Sequence, residues 1–403
     1  MQICKSHKTS CRTLLTRKIE EVTLDIEQIP LIMKTAHSKK EPIAVVGIGL
    51  RLPGDVNSPD DLWTLLDNKG DAIVDIPSDR WAAAEFLDKK DRNRPGHMVT
   101  NQSGFVKDIG MFDPDFFRLN RKEAKCMDPQ HRMILETTFR AFEDAGFDIH
   151  SYAGSKTGVF AGIFATDYQE LTFQASEQMN LNGSSLIGSC LASNRVSYLF
   201  DFQGPSLTVD TACSSSMIAT HLACNAIWNG ECNQAVSCGA NALLRPETFM
   251  AMSQGGFLSQ DCRCKTFDKS ANGYVRSEGA GSVLLKPLSQ ALRDNDKVYA
   301  CILGTSTNED GRTNGMPFPS YDAQKDVIAD ALERSGVNPA DIAYVELHGT
   351  GTAAGDPIET RSVGDTIACK RKEAGKSLIV GSVKSNIGHG EALSGMSGKQ
   401  FDD

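Results

Sequence analysis

Residues 208–228, TVDTACSSSMIATHLACNAIW, carry a strand end into a tight turn, a cysteine, three serines and a helix of small and apolar residues. Met217, Ile218, Ala219, Leu222 and Ala223 leave that helix almost no charged face. A helix apolar most of the way round is expected in a protein interior rather than on its surface. Cys213 stands at its amino end, where unpaired backbone N–H groups and the helix dipole stabilise an anion and favour thiolate over thiol. The same N–H groups suit the oxyanion that forms when sulfur attacks a carbonyl. A lone cysteine in an apolar run is more often a small buried hydrophobe, so its role rests on what surrounds it.

On the amino side, IAVVGIG from Ile43 reads as a buried strand leading into the loop LRLPGD. Gly47 and Gly49 suggest a dinucleotide fingerprint, but Leu52 stands where its third glycine belongs and loop, not helix, follows; a nicotinamide site is rejected. The next helix has Ser58 as N-cap, Pro59 at its first position and Gly70 past its end, with Leu62, Trp63, Leu65 and Leu66 as its buried face. Asp128 and Pro129 open another helix, striped by Met133, Ile134, Phe139 and Phe142 and stopped at Gly146. Strands are expected at Thr157–Gly162, Leu207–Val209 and Ala235–Ala242. Short buried strands alternating with helices predict an α/β layer structure with a largely parallel sheet.

On the carboxyl side, DCRCKTFDKSANGYVRSEGAGSVLLK from Asp261 is a loop dense in Gly, Asp and Arg that runs into a strand at Ser282–Lys286. Such loops often line a site, and as often are solvated turns. Strands at Tyr299–Thr305, Tyr344–Leu347 and Leu378–Gly381, with a helix at Asp322–Ser335, begin a second α/β series. YVELHGTGTAAGD, 344–356, ends a strand at His348 and continues as a glycine-threonine loop. The imidazole is placed at a strand's carboxyl end, where α/β folds put ligands. Glycines permit close backbone approach there, and the hydroxyls of Thr350 and Thr352 can bond a ligand. A second strand ends in VKSNIGHGEALSG, with Lys384, Asn386 and His389 in the same situation. One such histidine is usually structural. Two of them, with a cysteine at a helix amino end, point to a catalytic set.

The formal net charge of −9 over 403 residues gives no general basic surface, which argues against nucleic-acid binding. No apolar run reaches the length of a membrane span. Twelve cysteines are scattered without a secretory signal ahead of them, so reduced thiols in an intracellular compartment are expected. Cys262 and Cys264 form a CxC with no second pair at zinc-ligand spacing and are read as structural.

DTACSSS at 210–216, HGTGT at 348–352 and KSNIGH at 384–389 resemble, in order and approximate spacing, the motifs of the decarboxylating β-ketoacyl synthases, the ketosynthase domains of polyketide and fatty acid synthases. EPIAVVGIG, DPQHRMILE, GPSLTVD, DCRCKTFD and GYVRSEGAG agree, so the likeness runs from about Glu41 to Gly395. It is nearer the multidomain polyketide synthase type than the stand-alone bacterial enzymes. The resemblance implies a thiolase-like duplicated five-layer αβαβα fold, its first half over 41–290 with Cys213 and its second over 291–403 with both histidines. It implies that an acyl group passes from a pantetheine thioester to Cys213. Malonyl on a carrier protein then loses carbon dioxide, and the carbanion attacks the acyl-cysteine. By the same resemblance His348 and His389 stabilise the enolate oxygen and Lys384 holds the second histidine's surroundings. Thr350 and Thr352 would contact the pantetheine arm, and Asn386 would join the substrate side. No metal and no cofactor of its own is implied, since phosphopantetheine arrives on the acyl carrier protein. The implied partners are that carrier protein, a second copy in a homodimer, and other domains of a multidomain synthase.

Residues 1–40 are basic, with no acidic residue before Glu20, which fits a disordered extension or, as the alternative, a mitochondrial targeting peptide in a protein otherwise expected in the cytoplasm. After LSGMSG the sequence reads KQFDD and stops where relatives continue, so the second half-fold is expected to be incomplete at its carboxyl end. Two further readings are therefore carried: a truncated, non-condensing relative that only binds synthase subunits, and a thiolase-type acyltransferase.

Overall fold

The computed structural model describes residues 40–175 and 188–399; the basic extension and the closing residues 400–403 lie outside the described residues. Strand β1, Ile43–Arg51, is buried along almost its whole length. Helix α1, Pro59–Asp67, starts where Ser58 Oγ accepts the Asp61 N–H at 3.2 Å. Only Leu62 of its apolar residues is fully buried, and Trp63 is 40% exposed, against expectation. Leu62, Leu65 and Leu66 share a stripe at i, i+3 and i+4, and one residue's rotation carries Trp63 off it. β2 (Ile73–Asp75) and β3 (Gln102–Gly104) form a small antiparallel ribbon.

Helix α2, Pro129–Asp144, is capped by Asp128, whose Oδ1 accepts the Gln130 N–H at 2.8 Å. It lies so close to β1 that a Cβ on Gly47 or Gly49 would meet the carbonyl oxygens of Ala141 and Thr137 at 2.1 and 1.9 Å. The two glycines that suggested a nucleotide loop are there to admit a helix. After β4 (Thr157–Gly162) come helix α3 (Leu191–Leu199), β5 (Ser206–Val209), helix α4 (Ser215–Trp228), β6 (Gln234–Asn241), β7 (Gly279–Pro287) and β8 (Ala300–Ile302).

These strands form one sheet in the order β5-β4-β6-β7-β1-β8. β4 is parallel to β5 and β6, but β7 is antiparallel to β6 and β1, and β8 is antiparallel to β1. The expected largely parallel sheet is thus corrected to a mixed one. The long loop after β6 re-enters at the same end, setting Gly279 opposite Asn241, so β7 runs back without a crossover. Strand alternation feeds two cores: Val159 and Ala161 pack with Phe142 and Met133 under α2, while Phe160 packs with Ala219 and Ala223 of α4 on the other face.

In the second half, helix α5 (Tyr321–Ser335) ends at Gly336 with φ 66°. It is followed by β9 (Tyr344–Glu346), helix α6 (Gly355–Val363), β10 (Ile379–Gly381) and helix α7 (Ser394–Lys399). β9 and β10 pair in parallel as a separate two-stranded sheet over a small core of Leu347, Val363 and Ile367. Helix α7 is tied to the cysteine helix by the Met396 N–H, which donates to Ser216 Oγ at 3.1 Å. α4 itself is less enclosed than its composition predicts: Met217 is 42% exposed, while Ala219, Ala223 and Cys224 are buried.

Candidate active site

Cys213 does not lie in α4 itself but in a 3-10 turn, Ala212–Ser214, ahead of it. Ala212 takes a left-handed φ of 54°, a strained choice for a residue with a Cβ. Three hydrogen bonds hold it there. Ser215 Oγ accepts the Thr211 N–H at 2.9 Å and donates to the Ala212 carbonyl at 2.6 Å, and Asp210 Oδ1 accepts the Ala212 N–H at 3.0 Å. The turn presents the thiol beyond the end of β5.

His348 lies two residues past β9. Glu359 of α6 accepts the His348 and Gly349 N–H groups at 2.6 and 2.9 Å. Thr266 Oγ1 donates to the Gly349 carbonyl at 2.6 Å, fastening the loop from its other side. Gly351, with φ 77°, crosses Lys265 so closely that a Cβ would lie 2.7 Å from the Lys265 nitrogen. Beyond it, Thr352 Oγ1 accepts the Gly355 N–H at 3.1 Å and sits 3.2 Å from Thr350 Oγ1.

His389 is buried and stitched into the first half. Its N–H donates to the Val275 carbonyl and its carbonyl accepts the Ser277 N–H, each at 2.8 Å. The Tyr274 ring covers it at 4.6 Å between centroids. Nδ1 accepts the Glu391 N–H at 3.1 Å, which leaves the proton of the neutral ring on Nε2. The Glu391 carboxylate oxygen 3.6 Å from Nδ1 is too far for a hydrogen bond.

Cys213, His348 and His389 converge, with their ligating atoms all within 4.8 Å of one another. The two rings meet edge to face at 5.3 Å. Desolvation, then His348, Lys384 and Arg276, holds His389 well below the ordinary histidine range. His348 is crowded by protein and pushed down to about 3 by desolvation first and Lys384 second. It nonetheless keeps an exposed edge, where water offsets part of that shift. Both rings are therefore neutral at neutral pH.

Burial, and after it Glu391, pushes the Cys213 thiol up, outweighing Lys384 and a backbone hydrogen bond. Against the expectation of a resting thiolate, burial thus favours the neutral thiol. Lys384 is itself buried and lowered by desolvation, against the pull of Glu346, Cys264, Glu359 and Cys213. Asn386 stands apart. Its Nδ2 donates to the Gly70 carbonyl at 2.9 Å, and its Oδ1 accepts from Ser385 Oγ at 3.1 Å, so its side chain ties the first half to the second rather than facing a substrate. An open cleft of about 510 Å³, lined by Cys264–Asp268 and Val380–Ser382 among others, borders the His348 loop.

Residues 40–291 match the family model of the β-ketoacyl synthase amino-terminal domain, and residues 299–400 match that of its carboxyl-terminal domain. The chain belongs to the β-ketoacyl synthase family. Within that family it is 44% identical over 358 residues to a phenolphthiocerol/phthiocerol polyketide synthase of Mycobacterium tuberculosis, covering 89% of this chain and 20% of that protein. It is 43% identical to a partially reducing polyketide synthase of Menisporopsis theobromae, covering 89% of this chain and 14% of that one. Among solved structures, an oxazolomycin ketosynthase domain of Streptomyces albus matches with a TM-score of 0.84 at 38% identity, covering 89% of this chain and 61% of that one. The ketosynthase of module 6 of the Bacillus subtilis bacillaene synthase gives 0.80 at 39% identity, with coverage of 89% and 60%. The chain thus spans about a fifth or less of these curated relatives and about three fifths of the solved domains. The fold is the thiolase-like α/β architecture of that family.

Sequence reasoning missed Glu391, Arg276, Tyr274 and Glu359. Glu391 lies two residues past His389 in the quoted motif, and Arg276 and Tyr274 lie in the Gly- and Arg-rich loop that reads equally well as site or surface.

Proposed function

We propose that this chain is the ketosynthase portion of a polyketide synthase. It would join an acyl group held on Cys213 to the two-carbon unit of a malonyl thioester carried by an acyl carrier protein. The observation that carries the reading is the convergence of one thiol and two neutral imidazoles within 4.8 Å, with His389 turned to offer Nε2–H.

In the first stage the Cys213 sulfur attacks the acyl thioester carbonyl. The carbon–sulfur bond to pantetheine breaks, and the thiol proton leaves with the pantetheine sulfur. In the second, the bond between the malonyl C2 and its carboxylate breaks, carbon dioxide departs, and the electron pair stays as an enolate. His389 Nε2–H, with His348 beside it, is placed to donate to the enolate oxygen; such a donor is worth about 10²–10³ in rate. C2 then attacks the acyl-cysteine carbonyl and expels the Cys213 sulfur, which regains a proton.

Two neutral donors suit this chemistry better than charged ones, because an imidazolium would bind the malonyl carboxylate and stabilise the ground state. Desolvation keeps them neutral. Lys384 would act on the field around both rings, and the Thr350–Thr352 hydroxyl pair would bond the pantetheine arm. Pairing as a homodimer belongs to the same proposal. β5 is the edge strand of the large sheet, and Leu207 on it and Tyr198 before it are exposed, a combination that isolated sheets avoid. A monomer by sedimentation at micromolar concentration would remove that part. A cytoplasmic setting, expected from cysteine usage, is retained.

The test is the intact mass after exposure to a short acyl-pantetheine thioester, followed by release of carbon dioxide from a malonyl thioester. An acyl adduct that Cys213→Ala abolishes, and carbon dioxide release that His389→Ala lowers by about 10²-fold, are expected. A folded chain that takes no acyl group and releases no carbon dioxide would end the reading.

A further inference from the structure

Beside His389 the chain buries an ion pair that the proposed chemistry does not itself consume. Arg276 Nε donates to Glu391 Oε1 at 2.9 Å, and both side chains are almost wholly shielded from water. The guanidinium lies over the Phe249 ring, 4.5 Å from its centroid, and its Nη1 has no hydrogen-bond partner among the described residues. The second Glu391 oxygen stops 3.6 Å short of His389 Nδ1. Nδ1 instead accepts the Glu391 backbone N–H, which a left-handed φ of 51° at Glu391 aims at the ring. Arg276 is bridged to His389 through the backbone as well, so all three residues share one rigid frame.

Two opposite charges beside one imidazole pull it in opposite directions. A carboxylate at this distance with no other partner would swing in as a hydrogen-bond acceptor for Nδ1–H, and draw the ring towards that tautomer or towards imidazolium. The neutral Nδ1–H ring carries a lone pair at Nε2 and offers an oxyanion no donor. Arg276 closes that route by occupying Oε1 and by placing a positive charge near the ring. The remaining titratable groups around His389 are His348, Tyr274, Cys213 and Lys384, with Asp167 acting on Glu391 from farther away. Lys384 works in the same direction as Arg276. Tyr274 and Cys213 are both shifted upward, chiefly by burial, and stay uncharged at neutral pH. Burial raises the Glu391 carboxyl too, against the pull of Arg276; paired with that guanidinium at 2.9 Å, it is the acidic group nearest the ring.

We propose that Arg276 and Glu391 are positioning residues, a charge-neutral clamp that fixes His389 as the Nε2–H tautomer. The purpose of the donor rests on the ketosynthase reading, but the tautomer does not. Nitrogen NMR of the full chain with labelled histidine rings, assigned with His389→Gln, reads the tautomer whether or not the chain decarboxylates anything. Wild-type His389 is expected to stay neutral and Nε2–H between about pH 5 and 8. Arg276→Met should move it to Nδ1–H, and Arg276→Met combined with Glu391→Gln should return it to Nε2–H. Malonyl thioester decarboxylation should follow the tautomer. It should fall about 10²-fold in the single variant at neutral pH, recover in part as acid restores Nε2–H through imidazolium, and return in the double variant.

A wild-type ring found as Nδ1–H overturns the clamp even if Arg276→Met fails to fold. So does a folded Arg276→Met with the wild-type tautomer and pH profile. A wild-type Nε2–H ring on a folded chain that never decarboxylates supports the clamp and overturns the ketosynthase reading.

Discussion

The two histidines beside Cys213 are held by different halves of the molecule. His389 takes its backbone partners from Val275 and Ser277, just ahead of β7, which is buried along almost its entire length. His348 hangs from β9, three residues long, and is fastened by the Glu359 carboxylate. Around the first lies a six-stranded sheet with a core on each face; around the second lies a two-stranded sheet whose Ile379 is 62% exposed. The difference separates two kinds of precision. Cys213 and His389 are hydrogen-bonded into the densely packed half, and His348 is hydrogen-bonded to a thinly packed one. Damage to the first half should therefore disturb fold and site together, whereas damage to the second should loosen His348 alone.

The contrast breaks most sharply at Gly49. Gly49→Val forces side-chain atoms into the Thr137 carbonyl and should cost about 3 kcal/mol or more in chemical denaturation. A cost under about 1 kcal/mol would mean that α2 can retreat and that the first half is not packed as tightly as described.

Next comes His131, buried in α2 with neither ring nitrogen hydrogen-bonded among the described residues and pushed down to about 3, chiefly by desolvation and then by Arg195 and Arg132. Its folded value lies below its unfolded one, so the unfolded chain binds the extra proton. The stability this neutral ring protects is full above about pH 6.5 and is lost as pH falls towards 3. Wild type should lose about 2 kcal/mol more than His131→Phe between pH 6.5 and 5, at about 1.4 kcal/mol per pH unit. Asp128, pushed up to about 6 by burial, bends both curves the other way, so the readout is the difference between the two proteins. Parallel curves would show that water reaches His131.

A smaller effect sharpens the second half. Glu359→Gln weakens two charge-assisted bonds and should loosen the His348 loop by about 1–2 kcal/mol. Hydrogen exchange at the His348 and Gly349 amides should then quicken roughly tenfold, while the His389 amide is unchanged. Equal acceleration at both histidines would erase the distinction drawn above. The smallest effect belongs to Ile379→Thr, within about 0.5 kcal/mol because the side chain is mostly in water already; a larger loss would mean that something covers β10.

Much of this was readable in the sequence because local chemistry decides it. Ser58 and Asp128 cap helices as their side chains dictate, Gly336 ends α5 in the left-handed region, and the three motifs meet in space. What stayed hidden depends on distance along the chain. The sequence rules out a nucleotide loop at Gly47 and Gly49 but gives no reason for the two glycines until α2 is seen lying across them. No periodicity announces that β7 runs antiparallel, since that follows from where a long loop returns. The Cys213 thiol is raised by burial within the fold and by Glu391, outweighing Lys384 and a backbone hydrogen bond, and a sum over neighbours cannot be taken from one segment. Asn386 looked like a ligand contact because it sits between Lys384 and His389, but its partner is Gly70, 316 positions earlier.

The Arg276–Glu391 contact spans 115 positions, and that span has a meaning during synthesis. The sheet that carries Cys213 can form once β7 has left the ribosome, while at roughly 5–20 residues per second the roughly hundred residues up to His389 need several seconds more. Through that interval the nascent chain carries Cys213 without His348 and His389 beside it. The cluster of Cys213 with its two histidines is thus completed late, by the arrival of the second half.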